Sequence, residues 1–109
     1  YAGRCYAAVI VTNYLHRPLF PPLLAALAPG GVLIYETFGL GNEAYGRPAN
    51  PAFLLRPREL LEAVGSGLHV LAYENGFEAN PKPAVVQRIC AMRGPLPDVG
   101  KNPNFFLNS

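Results

Sequence analysis

Two polar segments carry the residues whose types suit chemistry. The run Thr12-Asn13-Tyr14-Leu15-His16-Arg17 follows directly on the apolar Val9-Ile10-Val11. The pair Glu36-Thr37 closes a second apolar stretch, Val32-Leu33-Ile34-Tyr35. An imidazole titrates near pH ~6.5 when unperturbed, which suits His16 to proton transfer at neutral pH. His16 could equally cap the next turn or lie on the surface. A carboxylate at the end of an apolar strand is costly without a partner, so Glu36 needs a donor or a ligand. His16 and Glu36 are therefore the candidate catalytic residues. Arg17 presents a planar fork to a ligand anion or to a carboxylate of the protein. Tyr14 can stack on a flat ligand or fill a helix–sheet junction. Thr12 and Asn13 can bind a ligand or close an Asx-type turn. Glu74 follows a third apolar run and is a weaker member of the set, while His69 lies within that run and reads as structural.

The elements that must position these residues read as an α/β alternation. Residues 6–12 are continuously apolar and β-branched at the end, the pattern of a strand covered on both faces. Pro21 and Pro22 suit a first helical turn. Phe20, Leu23, Leu24 and Leu27 then form one helical stripe, which Pro29-Gly30-Gly31 should end. Residues 32–38 are a second strand, and the helix between supplies the crossover that parallel pairing requires. Residues 39–51 form a long loop with three glycines and two prolines, a candidate lid. Residues 57–64 are a second helix without a good cap, since Arg56 stands where Ser or Asp is preferred. Residues 68–73 are a third strand, 74–83 a polar loop and 84–92 a fourth strand. No helix-length segment separates the last two strands, so they should pair antiparallel. Residues 94–109 read as an extended or disordered tail. The turns entering strands are tight and glycine-rich, whereas the segments leaving strands are longer and polar. Ligands of open α/β sheets bind outside the carboxyl ends of the strands, which points to the same edge.

Composition narrows the function classes. The chain has 109 residues, 50 % hydrophobic and 15 % charged, with net charge +2. That is at most one domain, globular and rather apolar. Seven of the nine basic residues are arginines, and they are scattered, so no basic block marks nucleic acid as a partner. No apolar run approaches the ~20 residues of a membrane helix and no signal peptide is recognisable, so the expected compartment is the cytoplasm. Cys5 and Cys90 sit in apolar runs, as buried thiols do, though a disulfide stays open. No Cys/His cluster marks a metal site. The chain starts without Met and almost directly in a strand, from which the expectation is a piece of something longer.

The order strand, helix, APGGVLIYETF, long loop, FLLRPRELLEAV, strand, antiparallel strand resembles the carboxyl-terminal half of a class I S-adenosylmethionine-dependent methyltransferase. The nearest group is the small-molecule, tellurite-resistance-like one, and the similarity covers residues 6–93. The resemblance implies a partial Rossmann-like three-layer sheet, mostly parallel with a final antiparallel strand. It also implies S-adenosylmethionine as cofactor of the intact enzyme. Carried over by position, Thr12, Asn13, Tyr14 and Leu15 line the methionine end of the cofactor. Arg17, Thr37, Phe38, Tyr45 and Arg47 face the small-molecule acceptor, and His16 or Glu36 takes its proton. The chain departs from the family in having no GxGxxG-like turn leading into a helix; Gly39-Leu40-Gly41 runs into a proline-rich loop instead. On this reading the chain holds the acceptor side of a site and lacks the cofactor-cradling side, which a missing amino-terminal half or a second chain would supply. The alternative is a non-catalytic α/β module that associates, as a homo-oligomer or with another chain, through an open edge on its first strand.

Overall fold

The computed structural model describes residues 6–94. They form strands β1 (Tyr6–Thr12), β2 (Leu27–Phe38), β3 (Leu68–Glu78) and β4 (Ala84–Arg93), with helices α1 (Phe20–Ala25) and α2 (Glu59–Val64). The sheet order is β1-β2-β4-β3. β1 pairs parallel with β2, through the α1 crossover. β4 pairs antiparallel with both β2 and β3. Three strands therefore run one way, but only one of the three ladders is parallel. The expectation of a mostly parallel sheet holds for strand direction and not for pairing. The reason is that β4, the last of the described strands, returns through a hairpin and inserts between β2 and β3.

The first crossover is tighter than its sequence pattern implies. Pro21 and Pro22 do fall in the first turn of α1. The helix stops at Ala25, and Leu27 belongs to β2, fully buried in the core. Pro29-Gly30-Gly31 does not end the helix but forms an irregularity within β2, where the partner of Tyr6 is Leu27 and the partner of Ala8 is Val32. Gly30 sits at φ +79°, and a Cβ on Gly31 would stand 2.7 Å from the Tyr6 carbonyl oxygen. Both positions thus need glycine, one for conformation and one for close approach. Regular pairing resumes at Val32.

α2 begins at Glu59, later than the expected Pro57, because Arg58 takes a left-handed conformation with φ 68°. No side chain of the helix caps it. The cap comes from the sheet: the Gln87 side-chain oxygen accepts from the Leu60 N–H at 2.8 Å, and its amide donates to the Arg56 carbonyl at 2.9 Å. Gln87 is fully buried, so this pairing meets the helix's orphan donor and the amide's own needs together. Gly65, at φ 55°, ends the helix as expected.

Both helices lie on one face of the sheet. The core there joins Leu33 and Tyr35 of β2, Ile89 and Ala91 of β4, and Leu60 and Val64 of α2, with Phe20, Leu23 and Leu24 of α1 packed against it. Each fully buried leucine or isoleucine among them contributes about 1.5–3 kcal/mol by leaving water. Among the described residues no helix covers the opposite face, where Ile10 is 66 % and Ile34 40 % exposed. Two layers are therefore present where three were expected. β1 lies at the sheet's edge, as the alternative reading expected.

β3 extends through Glu78, so Glu74 is a strand residue and not the start of a loop. Its pairing with Arg88 of β4 accounts for this, since a guanidinium there holds the acidic side chains in the sheet. No described helix is long and apolar enough to cross a membrane. Cys90 is a free thiol, whereas Cys5 and the expected tail beyond Gly94 lie outside the described residues.

Candidate functional site

The two polar strand exits meet. Asn13 turns the chain out of β1 at φ 55°, a left-handed conformation that asparagine tolerates. Its N–H still donates to the Glu36 carbonyl at 2.8 Å, which carries the ladder one residue past the strand. Beyond it, the Tyr35 hydroxyl donates to the Tyr14 carbonyl oxygen at 2.5 Å. Tyr35 is buried, with its ring edge-on to Phe20 at a 5.2 Å centroid distance. Burial, helped by nearby Tyr14, pushes its phenol up to about 12, so it stays a donor at all ordinary pH. The core thus fixes where the β1 exit leaves the sheet.

The long segment after β2 is ordered and closes over this exit. Asn42, 2 % exposed, is its clasp: its amide donates to the Pro48 carbonyl and its oxygen accepts from the Val85 N–H, each at 3.0 Å. Gly39 bridges Leu55, and Leu54 and Leu55 are fully buried. Arg17 fastens the same segment from the β1 side. Its guanidinium donates to the Ala52 carbonyl at 3.0 Å, the Leu54 carbonyl at 2.9 Å and both carboxylate oxygens of Glu59. Burial alone would raise the Glu59 carboxyl, but Arg17 and the Arg56 N–H overcome it and hold the group at about 2.

What results is a cleft of about 350 Å³ at the carboxyl ends of β1 and β2, lined by Asn13, Tyr14, Leu15, Thr37, Phe38, Pro48 and Phe53. Five of these were expected from sequence at the site, and Pro48 and Phe53 come from the strap. Tyr14 and Phe53 leave about half of their surface exposed, at 52 % and 53 %. Among the described residues neither the Asn13 amide nor the Thr37 hydroxyl has a hydrogen-bond partner, although Thr37 is only 2 % exposed.

Other candidates stand elsewhere. Thr12 is exposed on the helix-free face, in register with Glu36. Glu36 found its donor there: Arg88 binds it at 2.8 Å, Glu74 at 2.8 Å, and Glu78 as well. These three carboxylates raise the Arg88 pKa further, so the guanidinium is permanently charged and fully engaged. Arg17 is likewise taken by Glu59 and two carbonyls. Sequence reasoning saw that Glu36 needed a partner but had no signal for which arginine, 52 residues away, would supply it. His16 is exposed beside the cleft, its carbonyl accepting from the Leu19 N–H and its imidazole without a partner among the described residues. Tyr45 and Arg47 line a neighbouring cleft, where Tyr45 packs on Phe77 at 5.1 Å. Among the described residues no group of three or more His, Cys, Asp or Glu could hold a metal ion.

No family model matches the chain, and no curated protein matches it either. Among solved structures it matches TehB from Haemophilus influenzae with a TM-score of 0.65 at 13 % identity. The match covers 84 % of this chain and 36 % of TehB, so the chain spans about a third of that protein's length. At such identity the likeness is one of fold: the described residues have a mixed α/β, methyltransferase-like fold.

Proposed function

We propose that this chain supplies the acceptor side of an S-adenosylmethionine-dependent methyltransferase site for a small molecule. The observation that carries this reading is the strand-exit cleft, with the Asn13 amide and Thr37 hydroxyl unpartnered among the described residues and the Tyr14 ring half-exposed. The methyltransferase-like fold supports it.

The residues present fit the methyl-bearing end of such a cofactor and no more. Asn13, Tyr14 and Leu15 would hold that end, the Tyr14 ring facing the sulfonium. Each of the six described glutamates is already paired with an arginine or accepts from a backbone N–H, so none is positioned to hold a ribose. When bound, the cofactor supplies an electrophilic methyl group. The chain's own residues orient the acceptor, worth up to ~7–11 kcal/mol in favourable cases, and exclude water beneath Pro48 and Phe53. Of the two candidate bases only His16 has a side chain without a partner among the described residues. It takes the acceptor's proton at a ring nitrogen, while Glu36 stays with Arg88.

Calorimetry tests this on the natural gene product that contains the chain. S-adenosylhomocysteine should bind saturably, and Tyr14→Ala should weaken it about fivefold or more. His16→Ala should leave that binding intact and lower methyl transfer by about 10²-fold or more. No detectable binding to the natural product overturns the proposal. A second reading, association through β1, is favoured by its place at the edge of the sheet and by the 66 % exposure of Ile10 on the adjoining helix-free face. It predicts a dimer or larger species in sedimentation, and a monomer at high concentration contradicts it.

A further inference from the structure

We infer that the acceptor is a small organic anion, its carboxylate or phosphate held by Arg47 and Lys82 in a cleft that adjoins the strand-exit cleft at Phe38. The inference rests on reading the strand-exit cleft as the acceptor site. The adjoining cleft, about 170 Å³, is lined by Phe38, Tyr45, Arg47, Lys82 and their neighbours. Phe38 lines both clefts, and Arg47 and Pro48, one in each, are consecutive residues. One ligand can therefore lie across Phe38 with its two ends in different surroundings: amide, hydroxyl and aromatic groups at one end, cations at the other.

Among the described residues the charge inventory leaves three cationic side chains without a partner, Arg47, Lys82 and Arg58, and the first two share one cleft, which Arg58 does not line. Arg17, Arg56 and Arg88 are paired with carboxylates, and Arg93 donates to the Leu24 carbonyl. Five of the six described glutamates are paired with arginines and Glu43 accepts from the Gly41 N–H, and none of the six forms an ion pair with Arg47 or Lys82. Neither has a hydrogen-bond or ion-pair partner among the described residues, yet the fold brings them to one cleft from 35 residues apart. The Asn42 clasp does this, tying the Arg47-Pro48 strap to Val85 at the start of β4, just past Lys82. A fork and a point charge held together in this way suit an oxyanion. The adjacent Tyr45 and Phe77 rings favour a ligand with a flat or apolar body.

The test is an NMR titration of the ¹⁵N-labelled protein with benzoate, phenyl phosphate and neutral benzamide. At least one anion should bind about tenfold more tightly than benzamide and shift the signals of Phe38, Arg47 and Lys82. The tighter of the two names the acceptor's group. The double variant Arg47→Gln/Lys82→Gln should abolish the preference while keeping the wild-type amide dispersion. Equal affinity for benzamide, a preference that survives in the double variant, or shifts confined to the Arg88 region overturns the inference. S-adenosylhomocysteine binding tests the underlying reading separately. Cofactor binding without anion preference overturns this inference alone. Anion preference without cofactor binding to the natural gene product overturns the methyltransferase reading and leaves Arg47 and Lys82 an anion site of other use.

Discussion

The two faces of the sheet use the same strands for opposite ends. On the covered face, Leu33, Tyr35, Ile89 and Ala91 are buried beneath two helices, and even the polar Gln87 there is spent on capping α2. On the helix-free face the same strands present Ile10, Ile34 and the row Glu36, Arg88 and Glu74. Alternation along one strand thus separates what holds the fold together from what meets solvent or a partner. The candidate site belongs to neither face. It lies at the strand ends, where Asn13 turns the chain away from the alternation and the strap returns over it.

Substitutions on the two faces should separate accordingly. Tyr35→Ala should cost most, about 3–5 kcal/mol in urea unfolding, because it empties the core and releases the Tyr14 exit. Arg17→Met should cost about 2 kcal/mol near pH 7, less than for a fully buried pair since Arg17 is partly exposed. Its pH dependence sharpens the point. The Glu59 carboxyl is held at about 2 against an ordinary 4.5, so its contribution is complete above about pH 5 and lost as pH falls towards 2. In Arg17→Met that acid loss should be shallower, and an unchanged acid profile would mean that Arg17 does not hold Glu59. Arg88→Gln leaves three carboxylates together and should cost about 1 kcal/mol, partly restored by 1 M salt. Ile10→Ser should change stability by less than about 0.5 kcal/mol. A loss above 2 kcal/mol there would mean that a second chain covers this face, and the loss would then depend on protein concentration.

How much of this was legible in the sequence depended on range. The existence of β1, the crossover and the antiparallel return of β4 were readable, because strand composition and loop length are local. The continuous apolar run of β1 pointed to cover on both faces, whereas Ile10 is 66 % exposed because no described element packs there. The end of α1 was misplaced because Leu27 completes a helical stripe by spacing, yet it is claimed by pairing with Tyr6. Pro29-Gly30-Gly31 looked like a helix stop, and only the close approach to the Tyr6 carbonyl shows what the glycines are for. Glu74 looked like a loop residue until Arg88 placed it in β3. Of the residues lining the cleft, Asn13, Tyr14 and Thr37 were legible from strand-exit position, and Leu15 and Phe38 from the family resemblance. The engagements of Arg17 and Glu36, and the contributions of Pro48 and Phe53, rest on contacts tens of residues apart that no local pattern encodes.

The central claim is that the strand ends, and not the helix-free face, form the site. Hydrogen–deuterium exchange on the natural gene product, with and without S-adenosylhomocysteine, tests this most directly. Slowed exchange in peptides spanning residues 13–17 and 37–53, with 74–78 unchanged, is the predicted result. Slowed exchange at 74–78 alone, or none anywhere in this chain despite saturating ligand, would contradict it.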